Sequence, residues 1–555
     1  MKKKHIIFWL ICILWTLYHT SFFHLNDILK VADSFAYLQM SYFLEHFSQK
    51  GLWSWWFGFL YSLPIAFTNL LIWNDLLAAK IVNLVLLNIS ALLLWKISKK
   101  ILSQNFAYFT VILFFLSPTF LHFNIHILSE NIYIPLFLGL FLLTLNFTEK
   151  LDRIHIRVQI KYTVTIACLL GLMYLTRAEA FIYLGSIWVI TLWLLVQKKL
   201  SFQRFFTLWG VFFLSFFLFI SPYLFHLHTI TGEWWLTNKW ASNLRQAELR
   251  GQEKMDDAWF ERAVAELTPD KHHLIAGFAG GMKYNPPQIE GTLWEFILKD
   301  RKAFIVRVIT NQKKLFSRNL PEVFLGKAPQ LYFSNDSRFS HIPFLIFSLL
   351  PLLILLYGTY KIFREQKLFL WLSLSFFLPA FMFFTLFFTL NRYFLIFLPL
   401  FLIIFCYGLQ NIEYKKKYTL PLFIGNIIII FLLSTLIYYN IESSDDEYYS
   451  LKKDAGEWLK NNTSWEIKLM ERFPIVTYYS WSKTRFITPY TNNIDDIYEY
   501  GIYNGIDILV IDSMDFKTYR PELLEYLDKT PENFLLLKLF ENNLWQKVIL
   551  YSLKK

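Results

Sequence analysis

Apolar runs of about 20 residues, each closed by a short polar cluster, recur through the first 440 residues. A run of that length crosses a hydrocarbon core of about 30 Å as a helix, because backbone in lipid must satisfy its own hydrogen bonds. The pattern predicts eleven spans, at about 6–23, 75–95, 105–121, 131–148, 162–176, 179–197, 205–226, 342–360, 368–389, 391–410 and 418–438. The first follows Lys2-Lys3-Lys4 and has no small-x-small cleavage site after it, which predicts a retained signal anchor. Segments 24–74 and 227–341 are long connections between spans. The first carries Trp53, Trp55, Trp56 and Phe57, which suit a helix at headgroup level, and 293–319 mixes aliphatic and basic residues as an interfacial helix does. From 441 the pattern changes. Residues 445–460 predict a helix, Ile508-Leu509-Val510-Ile511 a buried parallel strand, and 534–540 and 546–551 two more strands. The expected architecture is an all-α polytopic membrane domain over 1–440, with external loops 24–74 and 227–341, followed by a small α/β domain over 441–555.

Composition agrees with the pattern: 55% of residues are apolar and 17% charged, with 58 Phe and 20 Trp. An ordinary soluble domain carries about 25% charged residues, so a disordered chain and a single soluble core are both excluded. The net charge of +12 does not point to nucleic acid, because residues 441–555 hold 14 Lys/Arg against 19 Asp/Glu and the first 440 carry the excess in short clusters. With the N-terminus in the cytoplasm, those clusters (Lys96 to Lys100, Lys150 to Lys161, Lys198 to Arg204, Lys361 to Lys367, Lys415 to Lys417) all fall on the cytoplasmic side. The C-terminal domain is then extracytoplasmic and the protein a multi-pass resident of the inner (plasma) membrane. Cys12, Cys168 and Cys406 lie singly inside apolar runs and form neither a disulfide framework nor a zinc site.

Ionisable residues at membrane depth are costly and therefore candidates for chemistry. Asp33, Glu130, Arg177, Glu179 and Arg392 all stand at outer helix ends in this topology. Three acids and two arginines on one face suit glycosyl transfer from a lipid phosphate. The phosphate needs a guanidinium, and the acceptor hydroxyl needs a carboxylate base. Asp33 is the candidate base. Glu130 stands with it in the catalytic set, as a second carboxylate able to orient the acceptor or hold a metal. Arg177 and Arg392 are candidate phosphate ligands, and Glu179, Tyr37 and Tyr393 candidate positioning residues. His122 and His126 have i, i+4 spacing but no evident third ligand, so no metal site is assigned. No Gly-rich phosphate loop follows a strand of the tail, whose reading is a binding or lid domain without catalysis.

These residues fall in ordered segments: Ala-Asp-Ser-Phe-Ala-Tyr (32–37), Ser-Pro-Thr-Phe (117–120), Leu-Ser-Glu-Asn-Ile-Tyr (128–133), Leu-Thr-Arg-Ala-Glu-Ala (175–180), Ser-Pro-Tyr (221–223) with Thr-Gly-Glu (231–233), and Arg392-Tyr393. With Ala-Gly-Glu-Trp-Leu (455–459) in the tail, the chain resembles the GT-C membrane glycosyltransferases, specifically bacterial relatives of protein O-mannosyltransferases and the aminoarabinose transferase of lipid A. The resemblance implies a GT-C fold, a polyprenyl-phosphate sugar donor, a lipid, glycan or protein acceptor, and an inverting mechanism with Asp33 as base. Membrane lipids are the other expected partner, and nucleic acid is not one. Ala178 stands where relatives often have Pro, and the first loop carries one acid rather than an Asp-x-Asp pair, which leaves a divalent metal open. The competing classes are a transporter or lipid flippase, and an O-antigen polymerase or ligase using Arg245, Arg250 and Arg262.

Overall fold

A computed structural model describes residues 2–23, 30–47, 58–231, 234, 265–274, 301–315, 323, 341–386, 391–412, 425, 435, 446–463, 467–482 and 484–554. The span expected at 418–438, the segment holding Trp53 to Phe57 and most of 227–341 lie outside the described residues. The chain divides into two compact units, one of residues 1–25, 37–236 and 311–441, the other of 26–36, 237–310 and 442–555.

The first unit is helical. Its helices are α1 (Lys2–Thr20), α2 (Ala32–Glu45, whose first five residues belong to the other unit), α3 (Ser62–Ile72), α4 (Asp75–Ile101), α5 (Gln104–Leu116), α6 (Pro118–Ile125), α7 (Glu130–Lys150), α8 (Ile156–Thr176), α9 (Ile182–Val196) and α10 (Phe202–Thr231). After α11 (Arg301–Lys314, whose first ten residues belong to the other unit) come α12 (His341–Glu365), α13 (Lys367–Leu386), α14 (Asn391–Phe394) and α15 (Leu398–Asn411). Among the described residues seven helical segments are long and apolar enough to cross a membrane.

The run at 105–121, expected as one span, is two helices, because α5 and α6 meet at 55°. Pro118 is the cause: it has no N–H to continue the ladder and sits at the first position of α6, where that loss is harmless. Elsewhere close packing depends on absent side chains. A Cβ on Gly408 of α15 would lie 2.5 Å from the Ile354 carbonyl oxygen, and one on Gly358 of α12 would lie 2.2 Å from that of Ile404. Small residues on both helices let the two backbones touch.

The second unit holds a five-stranded sheet in the order β2-β1-β3-β5-β4. Its elements are α16 (Asp446–Asn462), β1 (Lys468–Met470), α17 (Ile475–Tyr479), β2 (Thr484–Phe486), α18 (Ile494–Tyr503), β3 (Ile508–Asp512), α19 (Ser513–Tyr519), β4 (Phe534–Glu541) and β5 (Lys547–Leu553). β3, fully buried, runs parallel to β1 as its apolar run predicts, and antiparallel to β5. One core, with Leu509, Ile511 and Tyr500, fills one face, and another, with Val510, Ala455 and Leu459 of α16, fills the other. The 227–341 insertion contributes to this unit: Lys271 pairs with Asp496 at 2.7 Å and Glu499 at 3.1 Å, and His272 stacks on Tyr503.

At the carboxyl ends of β1 and β3, where open α/β sheets take phosphate ligands, the chain places its own carboxylates. Glu471 accepts the backbone N–H groups of Val476 and Thr477, and Asp512 accepts that of Asp515. Lys452 of α16 lies 2.9 Å from Asp512 and 3.4 Å from Asp515, which also binds Arg472 at 2.6 Å, while Tyr448 donates to Asp512. Burial and the charge of Asp515 push the Asp512 carboxyl up despite Lys452. Burial opposes ionisation of Asp515 too, but Lys452, the Asp512 hydrogen bond and Arg472 outweigh it and hold that carboxyl below the usual range.

Candidate functional site

Glu130 opens α7, directly after the α5–α6 break. Backbone that leaves a helix inside a membrane protein must be hydrogen-bonded by the protein itself, and here amide side chains do this. Asn83 of α4 donates to the carbonyls of Asn124 (2.8 Å) and His126 (3.0 Å), and Tyr61 donates to Asn83 at 2.6 Å. Asn131 reaches the carbonyls of Phe123, His126 and Leu128 at 2.6–3.1 Å. His19 of α1 contacts Asn124 and the Phe115 carbonyl. All of these residues are buried, and together they fix the turn that presents Glu130.

Arg177 arrives from the junction of α8 and α9. It is extended, caps α8 through its N–H to Met173, and is followed by a 3-10 turn (Ala178–Phe181) that carries Glu179. The α8 end is gripped by Gly58, where a Cβ would lie 2.1 Å from the Leu175 carbonyl oxygen. Arg392 and Tyr393 come from α14.

These elements bring Glu130, Arg177, Glu179, Arg392 and Tyr393 together. The Arg177 Nη1 donates to Glu130 Oε1, and its Nε lies 3.7 Å from Glu179 Oε2. The Arg392 Nε lies 3.9 Å from the same Glu130 oxygen. Tyr133 and Tyr393 flank the Arg177 guanidinium at 5.8 and 5.3 Å, and Tyr393 also flanks Arg392 at 5.9 Å. The two arginines differ: the side chain of Arg177 is 7% exposed, that of Arg392 25%. Arg177 is a buried clamp between two acids, and Arg392 is the more exposed of the two cations. The Nη2 of Arg177 is buried with no hydrogen-bond partner among the described residues.

Tyr37, on α2, packs edge-on against Tyr61 at 5.0 Å, and Ser62 donates to its carbonyl. Asp33 stands in the first turn of α2, and its side chain is half-buried. Among the described residues no three of His, Cys, Asp and Glu converge as metal ligands. Rare charge in apolar sequence pointed to Glu130, Arg177, Glu179 and Arg392. Reasoning from charge passed over Asn83, Asn131, Tyr61, Tyr133 and Gly58, although two amides within or beside apolar runs are a signal of the same kind.

No family model and no curated protein matches the sequence. Solved structures do match in fold. The archaeal oligosaccharyltransferase AglB from Archaeoglobus fulgidus, in complex with an inhibitory peptide and a dolichol-phosphate, superposes with TM-score 0.55 at 11% identity, covering 98% of this chain and 74% of that one. ArnT from Cupriavidus metallidurans bound to undecaprenyl phosphate gives 0.53 at 8% identity, and its apo state 0.52 at 9%, each covering 98% of this chain and 97% of the other. The chain has the fold of the GT-C membrane glycosyltransferases, the superfamily of both AglB and ArnT.

Proposed function

We propose that the protein is a membrane glycosyltransferase that moves a sugar from a polyprenyl-phosphate donor to a lipid, glycan or protein acceptor on the outer face of the membrane, with inversion. The observation that carries this reading is the shared carboxylate: Glu130 holds Arg177 by hydrogen bond and Arg392 at 3.9 Å, so a buried acid orients a half-open cation. A GT-C fold supports it, as do two fold neighbours that bind dolichol-phosphate and undecaprenyl phosphate.

In the proposed reaction Asp33 takes the acceptor hydroxyl proton while the acceptor oxygen attacks the anomeric carbon opposite the phosphate. The sugar–phosphate bond breaks with its electron pair leaving on the polyprenyl phosphate. Negative charge thus grows on the phosphate, where Arg392 meets it and Arg177 adds field from behind. Glu130 and Glu179 keep Arg177 charged and oriented, while Tyr37 and Tyr393 shape the acceptor and donor sides. The basic cytoplasmic clusters support a cytoplasmic N-terminus and an extracytoplasmic C-terminal unit. The domain reading, 1–440 as transmembrane catalytic domain and 441–555 as accessory domain, belongs to the same proposal.

The test is undecaprenyl phosphate binding by the purified full chain, with mass spectrometry of lipids, glycans and exported proteins from a strain lacking it. Binding that Arg392→Ala abolishes, and a missing sugar in the strain, are expected. Unchanged glycans together with a solute or lipid that fails to cross the membrane would instead identify a transporter.

A further inference from the structure

The turn joining β4 to β5 is built to display apolar side chains. The Asn542 Oδ1 accepts the N–H groups of Leu544 and Gln546 at 3.0 Å each, and its Nδ2 donates to Gln546 Oε1 at 2.7 Å. So held, Leu544 is 60% exposed and Trp545 82%. Trp545 adopts φ +59°, the left-handed region that a bulky L-residue avoids. Strain kept in order to hold a large ring in water marks a contact surface. A second element joins it: the Lys547 N–H donates to Ser513 Oγ at 2.9 Å, and the adjoining Met514 is 41% exposed.

The place of this turn in its own unit says what covers it. Asp512, the last residue of β3, pairs with Val548, so residues 542–546 project past the carboxyl end of β3. The first turns of α16 reach the same end, since Tyr448 and Lys452 both bind Asp512. The last segment of this unit therefore begins, near Asp446, at the same end of the sheet as the Trp545 turn. Only residues 439–445 separate Asp446 from the last apolar run, a tether of at most about 25 Å when fully extended.

We infer that Leu544, Trp545 and Met514 dock on the headgroup layer of the membrane that holds the chain. Trp concentrates in that layer because its ring is apolar and its N–H polar. Glu442, Asp445, Asp446 and Glu447 make the entry segment acidic, so anionic lipid adds no attraction and apolar burial drives the contact. The inference goes beyond glycosyl transfer and does not depend on it.

The full chain in a Cys168→Ser background, where Cys12 and Cys406 are buried, is labelled with an environment-sensitive fluorophore at Leu544→Cys, Trp545→Cys or Met514→Cys. Ile502→Cys, an exposed position near the amino end of β3 and so at the opposite end of the sheet, is the control. In nanodiscs of phosphatidylethanolamine and phosphatidylglycerol carrying headgroup-level nitroxide lipids, the three test positions should be quenched at least about twofold more than the control, with blue-shifted emission unchanged by added salt. Equal quenching at all four positions overturns the inference. So does a blue shift without lipid quenching, which means that a protein partner or second copy covers the turn, and so does loss of the contact in salt.

Discussion

Replacing Arg177 by Ala removes the cation between two acids whose side chains are 1% and 9% exposed. Breaking a buried ion pair costs about 3–5 kcal/mol, mostly because a carboxylate is left in low dielectric. Arg392 remains 3.9 Å from the same Glu130 oxygen and neutralises part of that charge, so the lower end, about 3 kcal/mol, is expected. Arg392→Ala should behave differently. Its side chain is one-quarter exposed and lies 3.9 Å from Glu130, so its loss should cost less stability than that of Arg177, yet it should abolish undecaprenyl phosphate binding. Glu130→Gln added to Arg177→Met should recover part of the stability lost by Arg177→Ala, since the Glu130 charge is gone while that of Glu179 remains. Thermal unfolding of the purified variants in detergent, followed by helical circular dichroism, measures the first effect, and lipid-phosphate titration the second. If Arg177→Ala and Arg392→Ala unfold alike, the buried-clamp and open-cation division is wrong.

Gly58→Ala places a methyl 2.1 Å from the Leu175 carbonyl oxygen; it should displace the Arg177 turn and weaken lipid-phosphate binding, whereas Gly210→Ala, with open space around it, should not. Gly408→Leu should lower the melting temperature by forcing α15 off α12, and Gly358→Leu should do the same. In the C-terminal unit the raised carboxyl of Asp512 favours folding while protonated. That contribution is full below the unfolded carboxylate pKa and is lost as pH rises toward about 7, so Asp512→Asn should flatten the fall in hydrogen-exchange protection of β3 over this window. Asp515, held low by Lys452 and Arg472 against burial, works the other way. Its stabilisation is present above the unfolded pKa and lost as pH falls, so Asp515→Asn should reduce protection at neutral pH.

Length and apolarity made α4, α7, α8 and α10 readable, because lipid imposes one requirement on every residue of a span. The same rule hid the break at Ser117-Pro118, since a bent pair and a straight helix have the same composition. In the tail β3 was legible because both faces are buried. The three-residue strands β1 and β2 were not, because a pairing that short is fixed by its neighbours rather than by its own pattern. The charged members of the cluster stood out by rarity. Their supports, Asn83 and Asn131, carry no charge, and their work depends on carbonyls brought close only by the fold.

The amide-braced turn before Glu130 also fixes an order of events. Lipid offers no substitute for the donors that satisfy the Asn124 and His126 carbonyls, so the bend is stable only once Asn83 and Tyr61 stand beside it. Ribosomal synthesis delivers residues 61 and 83 before 117–129 and Asn131 directly after it, so the donor to Asn124 precedes the bend. Moving those donors to a later helix would leave the nascent bend to straighten into an ordinary span and carry Glu130 to the wrong depth.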